Sequence, residues 1–188
     1  MRSFLSLLAL TLFCRVLASG PPTVYISANG DLQTIGLEVE TLVDHRGMLR
    51  IQDVRGSSDF RPSDSKIPNL GIGNAVYWFR FRADNRSNRE DHALIIGNPE
   101  IPHIEAWVGG KEHVEYHQLG QSVKHHTLAE PDIEPIIPLH IPTNESVEVY
   151  LRIESDKQLV VPISIGSKDE LRRYTGERNL LIGSYLGF

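Results

Sequence analysis

The sequence predicts an all-β fold, a β-sandwich or jelly roll, and three observations predict it. Apolar and polar residues alternate with period two in several short runs, as expected for strands that bury one face. Clusters of glycine, proline, asparagine and aspartate separate these runs and indicate turns. At least seven such runs follow one another at short spacing, which is typical of two packed antiparallel sheets.

Composition limits the classes of protein to consider. The chain has 188 residues, with 19 Lys plus Arg against 24 Asp plus Glu, a formal charge of −5 and 40% hydrophobic residues. This length suits one domain of ordinary size. The acidic balance argues against a nucleic-acid partner, which would need a basic surface. Cys14 is the single cysteine, so neither a disulfide scaffold nor a cysteine-based zinc site is expected.

The first 18 residues are predicted to be a secretory signal peptide. A short basic start at Arg2 is followed by an apolar run over residues 4–13 and by small or apolar residues up to Ala18. The run is too short for a membrane-spanning helix. Removal of Arg2 and Arg15 leaves 17 basic residues (19 minus 2) against 24 acidic ones, a formal charge of −7. We therefore expect an exported domain that begins at residue 19 and holds no cysteine.

Seven segments are predicted to be strands. The clearest alternation lies in residues 49–54, 77–82, 104–108 and 147–154, and weaker candidates are residues 93–96, 136–140 and 160–165. Residues 57–74, which are polar and rich in glycine and proline, are predicted to be an ordered surface loop; a flexible linker is the alternative.

The C-terminal part has a different character. Ser167 followed by Glu170 is a capping-box pattern and predicts a short helix that ends near Gly176. Residues 179–188 are apolar and uncharged, which suits either a last strand or the start of a membrane-spanning helix. We predict a sensor domain over residues 19–176 and the start of a first transmembrane helix over residues 177–188.

Several blocks of sequence stand in a familiar order. The most distinctive are Tyr77-Trp78-Phe79-Arg80-Phe81 and Tyr150-Leu151-Arg152-Ile153-Glu154-Ser155; the others begin at Leu49, Asp59, Asn69 and Leu181. In these blocks the chain resembles, over residues 40–188, the type 2 extracellular sensor domain of bacterial seven-transmembrane receptors with diverse intracellular signalling modules. The resemblance implies a periplasmic jelly roll similar to carbohydrate-binding modules, placed before seven helices in the bacterial inner membrane. The implied output is a histidine kinase of a two-component system or, less often, a diguanylate cyclase.

Two predicted strands offer a ligand-binding face. If Tyr77, Phe79 and Phe81 face the core, the opposite face carries Trp78, Arg80 and Arg82, and the same reasoning for residues 147–154 exposes Tyr150, Arg152 and Glu154. Aromatic planes pack on apolar sugar faces, and guanidinium groups bind hydroxyl or carboxylate oxygens. These residues, with Trp107 as a second platform, predict a site for a glycan or another small polar ligand.

The same residues have a purely structural interpretation, and it remains open. Arg80 and Arg152 could pair with Glu148 or Glu154 across strands. Trp78 could be covered by residues 57–74 with its indole nitrogen bonded to a carbonyl, and Trp107 could be a packed surface aromatic.

No metal site is predicted. His113, Glu115 and His117 would share one face of a strand, but eight histidines make such spacing easy by chance. Calcium is an open alternative, with weak candidate ligands in the acidic loop formed by Asp84, Asn85, Glu90 and Asp91. A solvated turn is the simpler interpretation of that loop.

The sequence contains no recognised catalytic motif: no nucleophile elbow, no His-Glu-x-x-His and no phosphate loop. We expect a non-enzymatic input domain that binds a polar ligand without a required cofactor and reaches the membrane through the helices that follow, with a homodimer as an open alternative. Two other functions are weighed: a secreted carbohydrate-binding or adhesion module, and a secreted β-sandwich hydrolase.

Overall fold

The computed structural model describes residues 20–110, 113–122 and 134–174. The predicted signal peptide (residues 1–18) and the predicted start of a transmembrane helix (residues 177–188) lie outside the described residues. Within the described part of the chain, no helix combines the length and apolar character that a membrane crossing requires.

The prediction of an all-β fold is confirmed. The described strands are β1 (Thr23–Ile26), β2 (Gln33–Thr34), β3 (Glu40–Asp44), β4 (Arg61–Pro62), β5 (Asn69–Ile72), β6 (Val76–Asn85), β7 (Asp91–Ile96), β8 (His103–Gly109), β9 (Val114–Leu119), β10 (Ile136–His140), β11 (Ser146–Glu154), β12 (Gln158–Val160) and β13 (Ile163–Ser167). Helical structure comprises a 3-10 turn (Gly36–Glu38), a one-turn helix α1 (Ile51–Arg55) and residues 168–174.

The strands form two main sheets. The larger sheet has the order β4-β3-β6-β11-β8-β9, with β1 running parallel to the second half of β6. The smaller sheet has the order β10-β7-β13-β2, and β5 pairs with β12 in a separate ribbon. All pairings except β1 with β6 are antiparallel, which gives the arrangement of a β-sandwich.

The core lies between the two main sheets. Phe79 and Phe81 of β6 and Leu151 of β11 are fully buried there against Leu94 of β7 and Ile165 of β13. The alternation predicted for residues 77–82, 104–108 and 147–154 is confirmed, because every second residue of each segment faces this core.

Each main sheet is also covered on its outer face. On the larger sheet, Val54 of α1 and Phe60 of the following loop form a second apolar cluster with Trp78 and Tyr150. On the smaller sheet, Leu171 of the C-terminal helix packs on Ala93 and Ile95. The helix start predicted at Ser167 is confirmed by the Glu170 N–H, which donates to Ser167 Oγ at 3.3 Å. The molecule therefore has four layers.

The prediction of a strand over residues 49–54 is wrong, since this segment contains α1. Asp53 accepts the Arg50 N–H at 2.8 Å and so caps the first turn. Ile51 and Val54, three residues apart, both contact the apolar cluster beneath α1. Leu49 and Ile51 fit a period of two, but Val54 follows Ile51 by three residues as in a helix, and the burial of Ile51 and Val54 favours the helix.

Two other boundaries differ in detail. The predicted loop over residues 57–74 is ordered, but it contains β4 and β5. The predicted strand over residues 160–165 is two strands, β12 and β13, which separate at Pro162 because proline cannot donate to a ladder.

Candidate functional site

The outer face of the larger sheet carries all six residues predicted to bind a ligand. Strand register places one row across this face, in the order Tyr116, Trp107, Tyr150, Arg80 and Glu40. The row on one side is Gln118, Glu105, Arg152, Trp78 and Leu42. The row on the other side includes Gly109, Glu148 and Arg82.

One part of this face, the closed half, is covered by α1 and residues 56–62. Its members Trp78, Tyr150 and Arg80 are 0%, 2% and 7% exposed. The alternative in which the loop covers Trp78 is therefore the observed one, but the expected bond from its indole to a carbonyl is wrong: Trp78 Nε1 has no hydrogen-bond partner among the described residues. In this conformation the three side chains offer no surface to a ligand.

Arg80 fastens the covering segment to the sheet. Its Nε donates to Glu40 Oε2 at 2.7 Å, and its Nη1 donates to the Ser57 carbonyl at 3.3 Å. Its guanidinium carbon lies 4.1 Å from the centre of the Phe60 ring. The partner of Arg80 is thus Glu40, and the expected pairing with Glu148 or Glu154 is wrong.

The remaining part, the open half, consists of Trp107, Tyr116, Glu105 and Arg152. The half-buried Trp107 ring stacks on Trp78 with centroids 5.3 Å apart and planes 24° apart. Tyr116 follows at 5.4 Å and a tilt of 45°, and it is 51% exposed. A continuous aromatic series thus runs from the buried Trp78 to the surface.

Polar groups in the open half are held in fixed positions by one another. Glu105 accepts the Tyr116 hydroxyl at 2.6 Å through Oε1 and the Arg152 Nη1 at 3.0 Å through Oε2. Arg152 Nη2 lies 3.3 Å from Glu154 Oε2, so its expected pairing with Glu154 is confirmed. Burial of the phenol and its hydrogen bond to Glu105 raise the pKa of Tyr116 to about 12.

An open cleft of about 260 Å³ lies on the same face as the aromatic platform formed by Trp107 and Tyr116. Arg55, Arg82, Gly110, Ser146 and Glu148 line it. Arg82 Nη2 donates to Glu148 Oε1 at 2.9 Å, and the Arg55 guanidinium carbon lies 5.9 Å from the centre of the Tyr150 ring. The cleft therefore lies between α1 and the row of Glu148 and Arg82, one row away from Trp107.

The acidic loop considered for calcium is built differently from a cation site. Asn85 is fully buried, and its Nδ2 donates to the carbonyls of Arg89 and Ile141, both at 2.7 Å, while Oδ1 accepts the N–H and hydroxyl of Ser87. The amide of this weak candidate is thus fully engaged in holding the β6–β7 connection.

The other candidate calcium ligands lie beside basic side chains. Asp84 Oδ1 lies 3.0 Å from Arg86 Nε. Both Glu90 and Asp91 lie beside His140, with atom pairs 4.0 and 3.2 Å apart. In the described ranges, no group of three or more His, Cys, Asp or Glu is arranged to hold a metal ion. His113, Glu115 and His117 therefore do not form such a group.

Three residues of this surface are not among the predicted ones. Tyr116 and Glu105 become neighbours of Trp107 and Arg152 only through the β8–β9 pairing. The Gly109-Gly110 pair is a turn signal in the sequence, but the register that pairs Trp107 with Tyr116 needs a connection longer than these two residues, so the signal alone does not give the pairing. Arg55 lies one residue beyond the predicted strand over residues 49–54 and reaches this face because that segment forms α1.

Comparison with known proteins finds one family. The family model described as 7TMR-DISM extracellular 2 matches residues 36–167, more than half of the chain, and confirms the resemblance noted in the sequence. No curated protein matches.

A solved structure is also similar, from a study described as the structural basis for the promiscuous specificity of the carbohydrate-binding modules from the beta-sandwich superfamily. The identity is 10% and the TM-score is 0.28. The match covers 76% of this chain, and the chain spans 57% of the length of that structure.

Proposed function

The chain belongs to the 7TMR-DISM extracellular 2 family, and we propose that it is the ligand-sensing input domain of a membrane receptor, with the open half as its binding surface. Membership makes it an extracellular or periplasmic domain of such a receptor. The proposal adds that it is anchored in a bacterial inner membrane by the helices that follow it. It also includes an output domain of the receptor that is a histidine kinase or a diguanylate cyclase. Finally, it includes a jelly-roll topology for this domain.

The observation that supports a polar, ring-shaped ligand is the aromatic pair Trp107 and Tyr116 beside the Glu105–Arg152 ion pair. Carbohydrates combine apolar C–H faces with a rim of hydroxyl groups. An aromatic plane accommodates the former, and fixed carboxylate and guanidinium groups bond the latter. We propose a carbohydrate as the ligand class and binding, without chemical turnover, as the activity.

The test is a thermal shift of the purified protein against a panel of oligosaccharides. A ligand present at 100 times its Kd stabilises the folded state by about 2.7 kcal/mol, which is readily seen as a rise in Tm. We expect one oligosaccharide class to raise Tm and Trp107→Ala to abolish that rise. Tyr174→Ala is the matched control, because Tyr174 is an exposed aromatic residue on the C-terminal helix.

Two results would contradict the proposal. One is a panel in which no oligosaccharide raises Tm. The other is a shift that Trp107→Ala leaves intact, which would place the ligand elsewhere on the molecule.

A further inference from the structure

We propose that the open half recognises an acidic saccharide, a pyranose that rests on Trp107 and directs its ring carboxylate into the cleft lined by Arg55 and Arg82. The inference rests on the proposed function and narrows its ligand class. Three observations support this inference: the charge of the cleft, the charge at the opposite edge of the platform, and the spacing between the platform and the cleft.

The cleft is cationic although the protein is acidic. Two guanidinium groups, Arg55 and Arg82, face one carboxylate, Glu148. Arg82 pairs with Glu148, whereas Arg55 makes no ion pair with any described residue and lies near the Tyr150 ring. Arg82 and Glu148 have side chains 40% and 35% exposed, so a solute carboxylate can reach the pair. A guanidinium fork suits a planar carboxylate, which can accept two parallel hydrogen bonds.

The opposite edge of the platform has the reverse charge. There Arg152 stands between two carboxylates, Glu105 and Glu154. A ligand that carries one negative group is therefore attracted at the cleft and repelled at this edge. The charge difference sets a single orientation of an acidic sugar on the platform, with its neutral hydroxyl rim toward Glu105.

The spacing is that of one sugar ring. Glu148 precedes Tyr150 by two residues on β11, and Tyr150 lies directly across from Trp107. Two residues along a strand span about 7 Å between Cα atoms, so Glu148 of the cleft and the Tyr150–Trp107 pair lie about one sugar ring apart along the sheet. Ser146 adds a hydroxyl that can bond the same carboxylate, while the Gly110 N–H is already engaged with the His113 carbonyl at 3.0 Å.

The test compares trigalacturonic acid with its fully methyl-esterified form, which keeps the rings and removes the charges. Calorimetric titration of the whole protein should show the acid binding about tenfold more tightly or better, since a hydrogen bond to a charged group is worth about that factor. Arg55→Gln should lower affinity for the acid about tenfold and leave the ester unchanged. Arg173→Gln, at an exposed arginine of the C-terminal helix, is the matched control.

Glu148→Gln supplies a readout that a structural role would not produce. Removing this carboxylate frees Arg82 from its partner and removes a repulsive charge, so affinity for the acid should rise while the melting temperature stays nearly constant. A fall in affinity for the acid would overturn the inference.

The outcomes separate the inference from the proposed function. Equal binding of acid and ester, or an equal loss of both in Arg55→Gln, overturns the acidic specificity while a Trp107-dependent site remains. Binding of neutral oligosaccharides alone would also overturn the acidic specificity and leave the Trp107-dependent site in place. If neither these probes nor the wider panel bind in a Trp107-dependent way, the proposed function fails as well.

Discussion

The closed and open halves lie on the same face of the same sheet and contain the same kinds of residue. Trp78, Tyr150 and Arg80 in the closed half correspond in type to Trp107, Tyr116 and Arg152 in the open half. The former set is buried beneath Val54 and Phe60, while the latter keeps access to solvent. A short segment carried by α1 therefore decides which aromatic residues stabilise the fold and which can meet a ligand.

The largest expected contrast between the halves comes from truncating their tryptophans. Trp78→Ala should lower the free energy of unfolding by about 3–5 kcal/mol, because it leaves a cavity beneath α1. Trp107→Ala, at a half-buried ring, should cost less than half as much. Denaturant unfolding of both variants measures the difference, and equal losses would show that the two halves are covered alike.

A conservative change refines this prediction. Trp78 Nε1 makes no hydrogen bond to a described residue, so Trp78→Phe forfeits packing but no polar contact. It should recover much of the stability that Trp78→Ala loses. Failure to recover any would indicate that the indole N–H is bonded in the folded protein.

The next contrast concerns ion pairs. Arg80 and Glu40 have side chains only 8% and 15% exposed, so Arg80→Met leaves a nearly buried carboxylate without its partner and should cost about 3 kcal/mol. Arg82→Met breaks a solvent-exposed pair with Glu148 and should cost less than about 1 kcal/mol. The Arg80→Met/Glu40→Gln double variant should be more stable than Arg80→Met alone; no recovery would mean that packing on Phe60 dominates.

A smaller effect tests how firmly the closed half is covered. Asp53→Ala removes the cap of α1 and should destabilise the covering segment by about 0.5–1 kcal/mol. In a Trp107→Phe background, acrylamide quenching reports Trp78 alone, and it should increase with Asp53→Ala. Asp59→Ala, an exposed acidic residue of the same segment, is the control; an equal increase there would remove the special role of the cap.

The subtlest contrast is in the two tyrosines. Burial first, and then Glu148, raises the pKa of Tyr150, and the pKa of Tyr116 rises from 10.0 to about 12. Because the folded state holds the Tyr116 proton more tightly, the stability from its bond to Glu105 is fully present below pH 10 and is lost as pH rises toward 12. Phenolate absorbance should show Tyr116→Phe removing a late-titrating group. Glu105→Gln should lower the pKa of Tyr116 and leave that of Tyr150 unchanged.

Sequence patterns predict the parts of this structure that depend on local burial. Phe79, Phe81 and Leu151 alternate with polar residues because one face of each strand meets the core. The helix at Ser167 could be predicted for a similar reason, since its cap is formed by residues three positions apart.

Contacts between distant segments could not be predicted in this way. Glu40 pairs with Arg80 from a strand 40 residues earlier, and Phe60 covers Arg80 only because α1 turns the chain back over the sheet. Alternation in β6 shows that Trp78 and Arg80 leave the core side, but a strand pattern does not show what lies above its other face. Sequence patterns therefore identify which residues share the outer face of the larger sheet, but not which part of that face is open.

The buried amide of Asn85 has a consequence for how this protein can be made. Asn85-Arg86-Ser87 is an acceptor sequence for N-linked glycosylation, and the nitrogen that would carry the sugar is the one that donates to the Arg89 and Ile141 carbonyls. An oligosaccharide on that nitrogen and the closed β6–β7 connection exclude each other. A host whose secretory pathway glycosylates nascent chains would modify Asn85 at the expense of folding, whereas bacterial expression, where this modification is absent, preserves the native connection.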